Sequence, residues 1–434
     1  MKIKFEMVKA SLTVLFVSVN LGTPGLANAE GPIPFFHLMH TLPECSHSGK
    51  ASTWCDGSDK ARTARSSGME QAVVELLDQA RDPRRARVTI AYFSFSNKTV
   101  FQKLCALGRT GIRIEGFFDS SENRPESYAT QLTHSCQSAN ENNVRIHFLG
   151  TKEPWRLHHN KFLLVDTGND ELIRMGFSSG NLSDSGLSVH FDHWVFMEAK
   201  KSSNLIRQQF CVVKSLRRAL DPQSTGADLA KDDPRVYRES LNRCLVESGS
   251  FWNSNNTAWI ETALAKEKIA PLFAPDPSDS IASVLINQIN SVIPGGRIRG
   301  AIQHFLHQGI AQALRNAVKR GVQVTLLMDD DVLVGAGVPG AREFFDTWLD
   351  PKKSGIDIGF IQTNSDAKQM MHNKFLILEG VGNSRINRVF SGAGHFTKAA
   401  TKNNYENFYL SQVAELTSQY EKLFSYMNER RMKY

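Results

Sequence analysis

The stretch that decides the fold is HNKFLLVD at residues 159–166, because it returns as HNKFLILE at residues 372–379. In each copy the string HNKF leads into an apolar run, Phe162 to Val165 or Phe375 to Leu378, and then into an acid, Asp166 or Glu379. An apolar run this short and this rich in branched residues reads as a central, doubly buried strand rather than a helix. Residues two apart on a strand face the same side, so His159 projects with Lys161 and His372 with Lys374.

Working outward, the surroundings repeat as well. RVTIAYFSF (87–95), FQKLCALGRTG (101–111) and IRIEGFFD (112–119) read as strand, helix with a glycine stop, and strand; RIRGAIQHF (297–305), IAQALRNAVKRG (310–321) and VQVTLLMDD (322–330) repeat that order. Alternating strands and helices of this kind predict an α/β fold of two similar sheets packed side by side. The expected divisions are a first lobe at 70–220, a linker or insertion at 221–281 with a helix near 234–247, and a second lobe at 282–434 ending in a helix over 412–430. Residues 30–69, rich in Ser, Gly, Pro and His, read as an irregular lead-in.

The first 29 residues have the pattern of a secretory signal peptide: Lys2, Lys4 and Lys9, an apolar run from Ala10 to Leu21, and Ala27-Asn28-Ala29 before Glu30. No later stretch is apolar and long enough for a spanning helix, so the mature chain is expected to be secreted or periplasmic. Six cysteines fit an oxidising compartment. Sequence proximity suggests the pairs Cys45–Cys55, Cys105–Cys136 and Cys211–Cys244, among the 15 pairings six cysteines allow. No CxxC pair has the spacing of a structural zinc site. The net charge of +7, with 41% hydrophobic residues, describes a globular chain suited to an anionic partner without specifying which.

A histidine beside a lysine suits phosphate, since the ammonium neutralises non-bridging oxygens while the imidazole attacks phosphorus or protonates a leaving group. Ser178-Ser179-Gly180-Asn181 follows the next strand and offers hydroxyl and amide donors on a turn.

Both motif segments resemble the HxKxxxxD signature of the phospholipase D superfamily, with Glu379 a conservative departure, and the similarity covers residues 70–215 and 282–430. The resemblance implies two α-β-α sandwich lobes about a pseudo-twofold axis and a phosphodiesterase that uses no metal or other cofactor. It implies His159 as nucleophile and His372 as acid, with Lys161, Lys374, Ser179 and Asn181 on the phosphate. Asp166 and Glu379 complete the motifs as supports of their strands. FTKAATKNNYEN (396–407) is similar to a stretch of the superfamily's bacterial nucleases and implies that Glu406 orients His372, with Asp192 in FDHWVF its counterpart for the first motif. In SGAGHF (391–396) the family's Ser and Asn are replaced by Ala393 and His395, which implies an asymmetric site with His395 as substitute donor. His158, Trp155, His304 and His307 are left outside the catalytic set.

Two motifs in one exported chain resemble secreted phospholipases D and imply headgroup hydrolysis to phosphatidic acid at a phospholipid membrane surface. The alternative is an exported non-specific endonuclease acting on DNA or RNA. With both half-sites in one chain, a monomer suffices.

Overall fold

The strand–helix–strand order read from the sequence is present twice and builds two sheets of eight strands. The computed structural model describes residues 35–41, 45–47, 50–52, 59–138, 142–151, 156–168, 171–220, 232–249, 258–335, 338–363 and 369–434. The expected signal peptide, Trp155 and the Cys55 end of the expected Cys45–Cys55 pair lie outside the described residues.

In the first sheet the strands lie in the order Phe35–Thr41, Asp192–Lys200, Leu172–Ser178, Lys161–Asp166, Arg87–Tyr92, Arg113–Asp119, Val144–Thr151 and Arg156–Leu157. In the second the order is Ile269–Ala274, Glu406–Ser411, Ile386–Gly392, Lys374–Val381, Val292–Ile302, Gln323–Asp329, Asp357–Ile361 and Met432–Lys433. Position for position, the first seven strands correspond. The motif strand is fourth in both, antiparallel to the strand that opens its repeat.

Alternation along the first motif strand sends its side chains into two different cores. Phe162 and Leu164 join the core shared with the second lobe, and Leu163 and Val165 join the core beneath the helices Asp59–Leu77 and Lys98–Arg109. Across the seam the rings of Phe177 and Tyr409 stack with centroids 3.9 Å apart. The helices that follow the first parallel strands are capped alike: Asn97 accepts from the amide of Val100 and His307 from that of Ile310. Each then turns through a glycine with positive φ, Gly111 at 95° and Gly321 at 87°, into the next strand.

Two boundaries differ from expectation. Phe35–Thr41 is not an irregular lead-in; it pairs along its whole length with Asp192–Lys200 and closes the edge of the first sheet. Ile269–Ala274, expected in the linker, does the same for the second by pairing with Glu406–Ser411. Edge strands are short and lie far in sequence from their partners, so local pattern under-reports them. The pairs Cys105–Cys136 and Cys211–Cys244 are present. No described helix is long and apolar enough to cross a membrane.

The motif acids sit at the far ends of their strands, roughly 16 Å from the lysines at ~3.3 Å per residue. Asp166 pairs with Lys201 at 2.9 Å, and Glu379 receives Arg297 Nε at 2.7 Å and a further bond from Arg299. Both tie the motif strand to its surroundings. Glu379→Ala strands two guanidinium groups, of which Arg299 is mostly buried; the expected outcome is a loss of about 2 kcal/mol in unfolding free energy, read by denaturant titration.

Candidate active site

The motif histidines stand just before their strands, where the lobes meet. His159 donates its amide to the carbonyl of Tyr405 at 2.8 Å, and His372 donates to that of Phe191 at 3.0 Å. Each motif thus hydrogen-bonds to the opposite lobe. Behind each histidine a buried aspartate at the end of a parallel strand takes a backbone amide: Asp119 takes His158 N at 2.9 Å, and Asp329 takes Met371 N at 2.6 Å. Asn407 accepts from Lys161 N at 2.7 Å, and Asn373 donates to Phe191 O at 2.8 Å. With these bonds made, neither motif is free to tilt without breaking contacts in both lobes.

The side chains cross in the same way. His159 Nδ1 lies 2.8 Å from Glu406 Oε2, and His372 Nδ1 lies 2.9 Å from Asp192 Oδ1. This corrects the expected pairing, in which Glu406 served His372 and Asp192 served the first motif. The loops that carry the acids reach across the seam, so each carboxylate meets the other lobe's imidazole. A carboxylate on Nδ1 places the proton there and leaves Nε2 as the free face of each ring. The ring of His395 lies 5.3 Å from that of His159 and 5.9 Å from that of His372, centroid to centroid. Both motif histidines therefore border one site, with His395 between them.

Lys161 and Lys374 are wholly buried. Lys161 Nζ lies 2.8 Å from His159 Nε2 and 3.2 Å from the carbonyl of His159. Lys374 Nζ donates instead to the carbonyls of His372 at 2.6 Å and Ser179 at 3.3 Å, leaving His372 Nε2 uncapped by its lysine. Burial disfavours every charge here. It pushes the Lys161 ammonium down to about 7 and the Glu406 carboxyl up to about 8, and it raises Asp192. Burial, and then the neighbouring ammonium groups, hold both motif imidazoles well below their usual value. A tetrahedral anion bound between the lysines would relieve this mutual repulsion.

Ser179, expected on the phosphate, is committed elsewhere: its hydroxyl donates to Asp192 Oδ1 at 2.7 Å and accepts from His193 N at 2.9 Å. It therefore positions the acid that orients His372. The short bridges Phe95 to Leu182 and Phe305 to Phe396 make Asn181 and His395 equivalent positions in the two lobes. Asn181 has a buried, unpartnered Oδ1.

Three side chains at the site were not identified from the sequence. His304 lies 4.6 Å from His395, centroid to centroid, and burial pushes it down to about 4. His190 lies 5.5 Å from His372, and Phe93 5.2 Å from His159. All three follow or precede strand ends that the repeat brings to the seam, and aligning AYFSF (91–95) with AIQHF (301–305) places Phe93 and His304 on the residues leaving the first strand. His307, by contrast, caps a helix and pairs with Asp279 at 3.1 Å.

The model of the family described as cardiolipin synthase, PLD-like domain, matches residues 73–213 and again 285–428. No curated protein matches the chain. Among solved structures, phosphatidylserine synthase of Haemophilus influenzae Rd KW20 superposes with a TM-score of 0.53 at 12% identity, over 85% of this chain and 86% of that one. Polyphosphate kinase of Porphyromonas gingivalis gives 0.52 at 13% identity over 90% of this chain, which spans 46% of the kinase. Nuc of Salmonella typhimurium, a phospholipase D family member, is 22% identical over 38% of this chain and 98% of its own, with a TM-score of 0.31. These likenesses concern the fold, whereas the doubled family match covers both lobes and both HNKF segments: the chain belongs to the phospholipase D-like family.

Proposed function

We propose that this chain is an exported phosphodiesterase working through a phosphohistidine intermediate. The observation that carries the reading is the pair of crossed imidazole–carboxylate contacts, His159 with Glu406 and His372 with Asp192, around one site. In the proposed reaction Lys161 leaves His159 Nε2 to bind a non-bridging oxygen, Lys374 binds another, and Nε2 attacks phosphorus. The bond to the leaving oxygen breaks as His372, protonated on both nitrogens once the anionic phosphate is bound beside it and Asp192, gives that oxygen its Nε2 proton. Water, deprotonated by His372, then attacks phosphorus and releases His159. Asn181 and His395 are the proposed further donors to the phosphate from the two lobes.

Two substrate classes fit this chemistry. Hydrolysis of phospholipid headgroups to phosphatidic acid is supported by the enclosure of the site, since His159 and His372 are only 5% and 6% exposed and admit a slender group end-on. Cleavage of a nucleic-acid backbone is supported by the surface. Among the described residues only Phe210, Val246, Val334, Met432 and Tyr434 are exposed large apolar side chains, and a lipid surface is met by larger apolar patches. The basic balance of the chain, with a sequence pI of about 9.0, suits a polyanion. We favour the nuclease reading on these grounds.

Three outcomes are expected. With EDTA present, the purified protein nicks plasmid and single-stranded DNA, and His159→Ala abolishes this; turnover of phosphatidylcholine vesicles without DNA cleavage would establish the lipid reading instead. Glu406→Gln and Asp192→Asn each lower kcat by about 10²-fold with little change in KM, because each acts on the imidazole rather than on the substrate. Lys161 is charged below about 7 in the empty site, so kcat/KM falls as pH rises through about 7. Bound phosphate keeps the ammonium protonated, so kcat stays level to higher pH; parallel alkaline loss of both parameters would contradict this role.

A further inference from the structure

The chain carries a net charge of +7. At the end of the first sheet opposite the histidines, two cavities of about 450 and 660 Å³ share Arg87, Thr89 and Arg217 and so form one groove. Its cations are Arg87, Arg113 and Arg145 on three adjacent parallel strands and Arg207, Lys214 and Arg217 on the helix Asn204–Ala219; all six are exposed. Arg87 and Arg113 are direct neighbours in register, and Arg145 follows beside Glu115. The acids that line the groove are already occupied: Glu115 by Arg217 and by His147 at 3.4 Å, Asp166 by Lys201. Arg87, Arg113, Arg145 and Arg207 form no ion pair among the described residues.

The second lobe shows that this charge is not demanded by the fold. The residue equivalent to Arg145 is Asp357, which receives Arg431 at 2.8 Å, and the terminal strand Met432–Lys433 pairs over the same edge. One lobe carries an acid there that is paired with an arginine; the other carries an arginine that forms no ion pair among the described residues.

We propose that this groove is a second, non-catalytic binding surface that holds the backbone of a single-stranded nucleic acid. The inference rests on the nuclease reading above. Five residue steps of ~3.3 Å from Arg87 to Tyr92 separate the groove from the catalytic edge by about 17 Å. Five of the six cations are arginine, whose planar fork grips phosphate in two places. Phe210, 40% exposed in the same groove, offers a face on which a base can stack. A planar membrane surface cannot enter a concave groove, which sets the lipid alternative apart. The expected consequence is that long strands bind better than short ones, with chemistry unchanged.

The test measures Kd for a labelled single-stranded DNA of about 16 nucleotides by anisotropy, in a His159→Ala background that does not cleave it. Arg87→Gln/Arg113→Gln/Arg145→Gln raises Kd at least about tenfold and reduces the log–log salt slope by about 2, near 0.7 per lost phosphate contact. Arg207→Gln/Lys214→Gln, on the exposed face of a helix, gives the same direction with no risk to folding. In proteins that retain His159, both variants raise KM for the 16-mer and leave kcat, and KM for a strand of about 4 nucleotides, unchanged. Unaltered Kd and slope in both variants overturn the proposal, as does tighter binding of a duplex of equal length or of phosphatidylglycerol vesicles. Failure of the wild type to hydrolyse bis(p-nitrophenyl) phosphate sinks the phosphodiesterase reading alone, because binding is read in a protein that does not cleave.

Discussion

The exchange of carboxylates across the seam is the constraint from which the rest of this molecule follows. Glu406 belongs to one lobe and its imidazole, His159, to the other; Asp192 and His372 repeat the exchange in reverse. Backbone bonds from His159 to Tyr405 and from His372 to Phe191 run alongside. The interface is thus not a surface on which two finished half-sites happen to meet. Each half lacks the group that fixes the tautomer of its own histidine, and only the docked pair supplies it. Shared apolar packing, with Phe177 stacked on Tyr409, makes docking the stable state.

The electrostatics of the site follow from this enclosure. Two ammonium groups and several imidazoles are held where water is scarce, and burial works against each charge. Ser179 is committed to Asp192 and the two carboxylates to the imidazole Nδ1 atoms, so the lysines, the Nε2 edges, His395 and Asn181 are left to face the site. An interior arranged in this way is costly when empty and is eased by an anion, which is the basis of electrostatic preorganisation.

Much of this was legible in the sequence because it is local. HNKF followed by four apolar residues fixes strand, face and the pairing of His with Lys, and its recurrence fixes the duplication. The helices at 234–247 and 412–430 were readable from periodicity and from turn residues, and they appear at Pro234–Glu247 and Ala414–Glu429. The crossing of the acids was not legible, because FDHWVF and NNYEN carry no mark of which lobe their loops will reach. Ser179 misled for a related reason: a hydroxyl after a motif strand looks the same whether it faces substrate or a neighbouring carboxylate. Nothing local marks His304, because its place beside His395 arises from packing between two loops 91 positions apart in the chain.

The strand Phe35–Thr41 bears on where the working unit begins. Besides closing a sheet edge, its last residue acts as a clamp: the Thr41 hydroxyl donates to the carbonyl of His190 at 2.6 Å and accepts from the amide of Asp192 at 3.0 Å. The loop that presents the acid to His372 is therefore anchored by a residue some thirty positions upstream of the family match, which starts at residue 73. A polypeptide trimmed to the homology boundary would keep every motif residue and still lose the peg that holds one of its two acids in place.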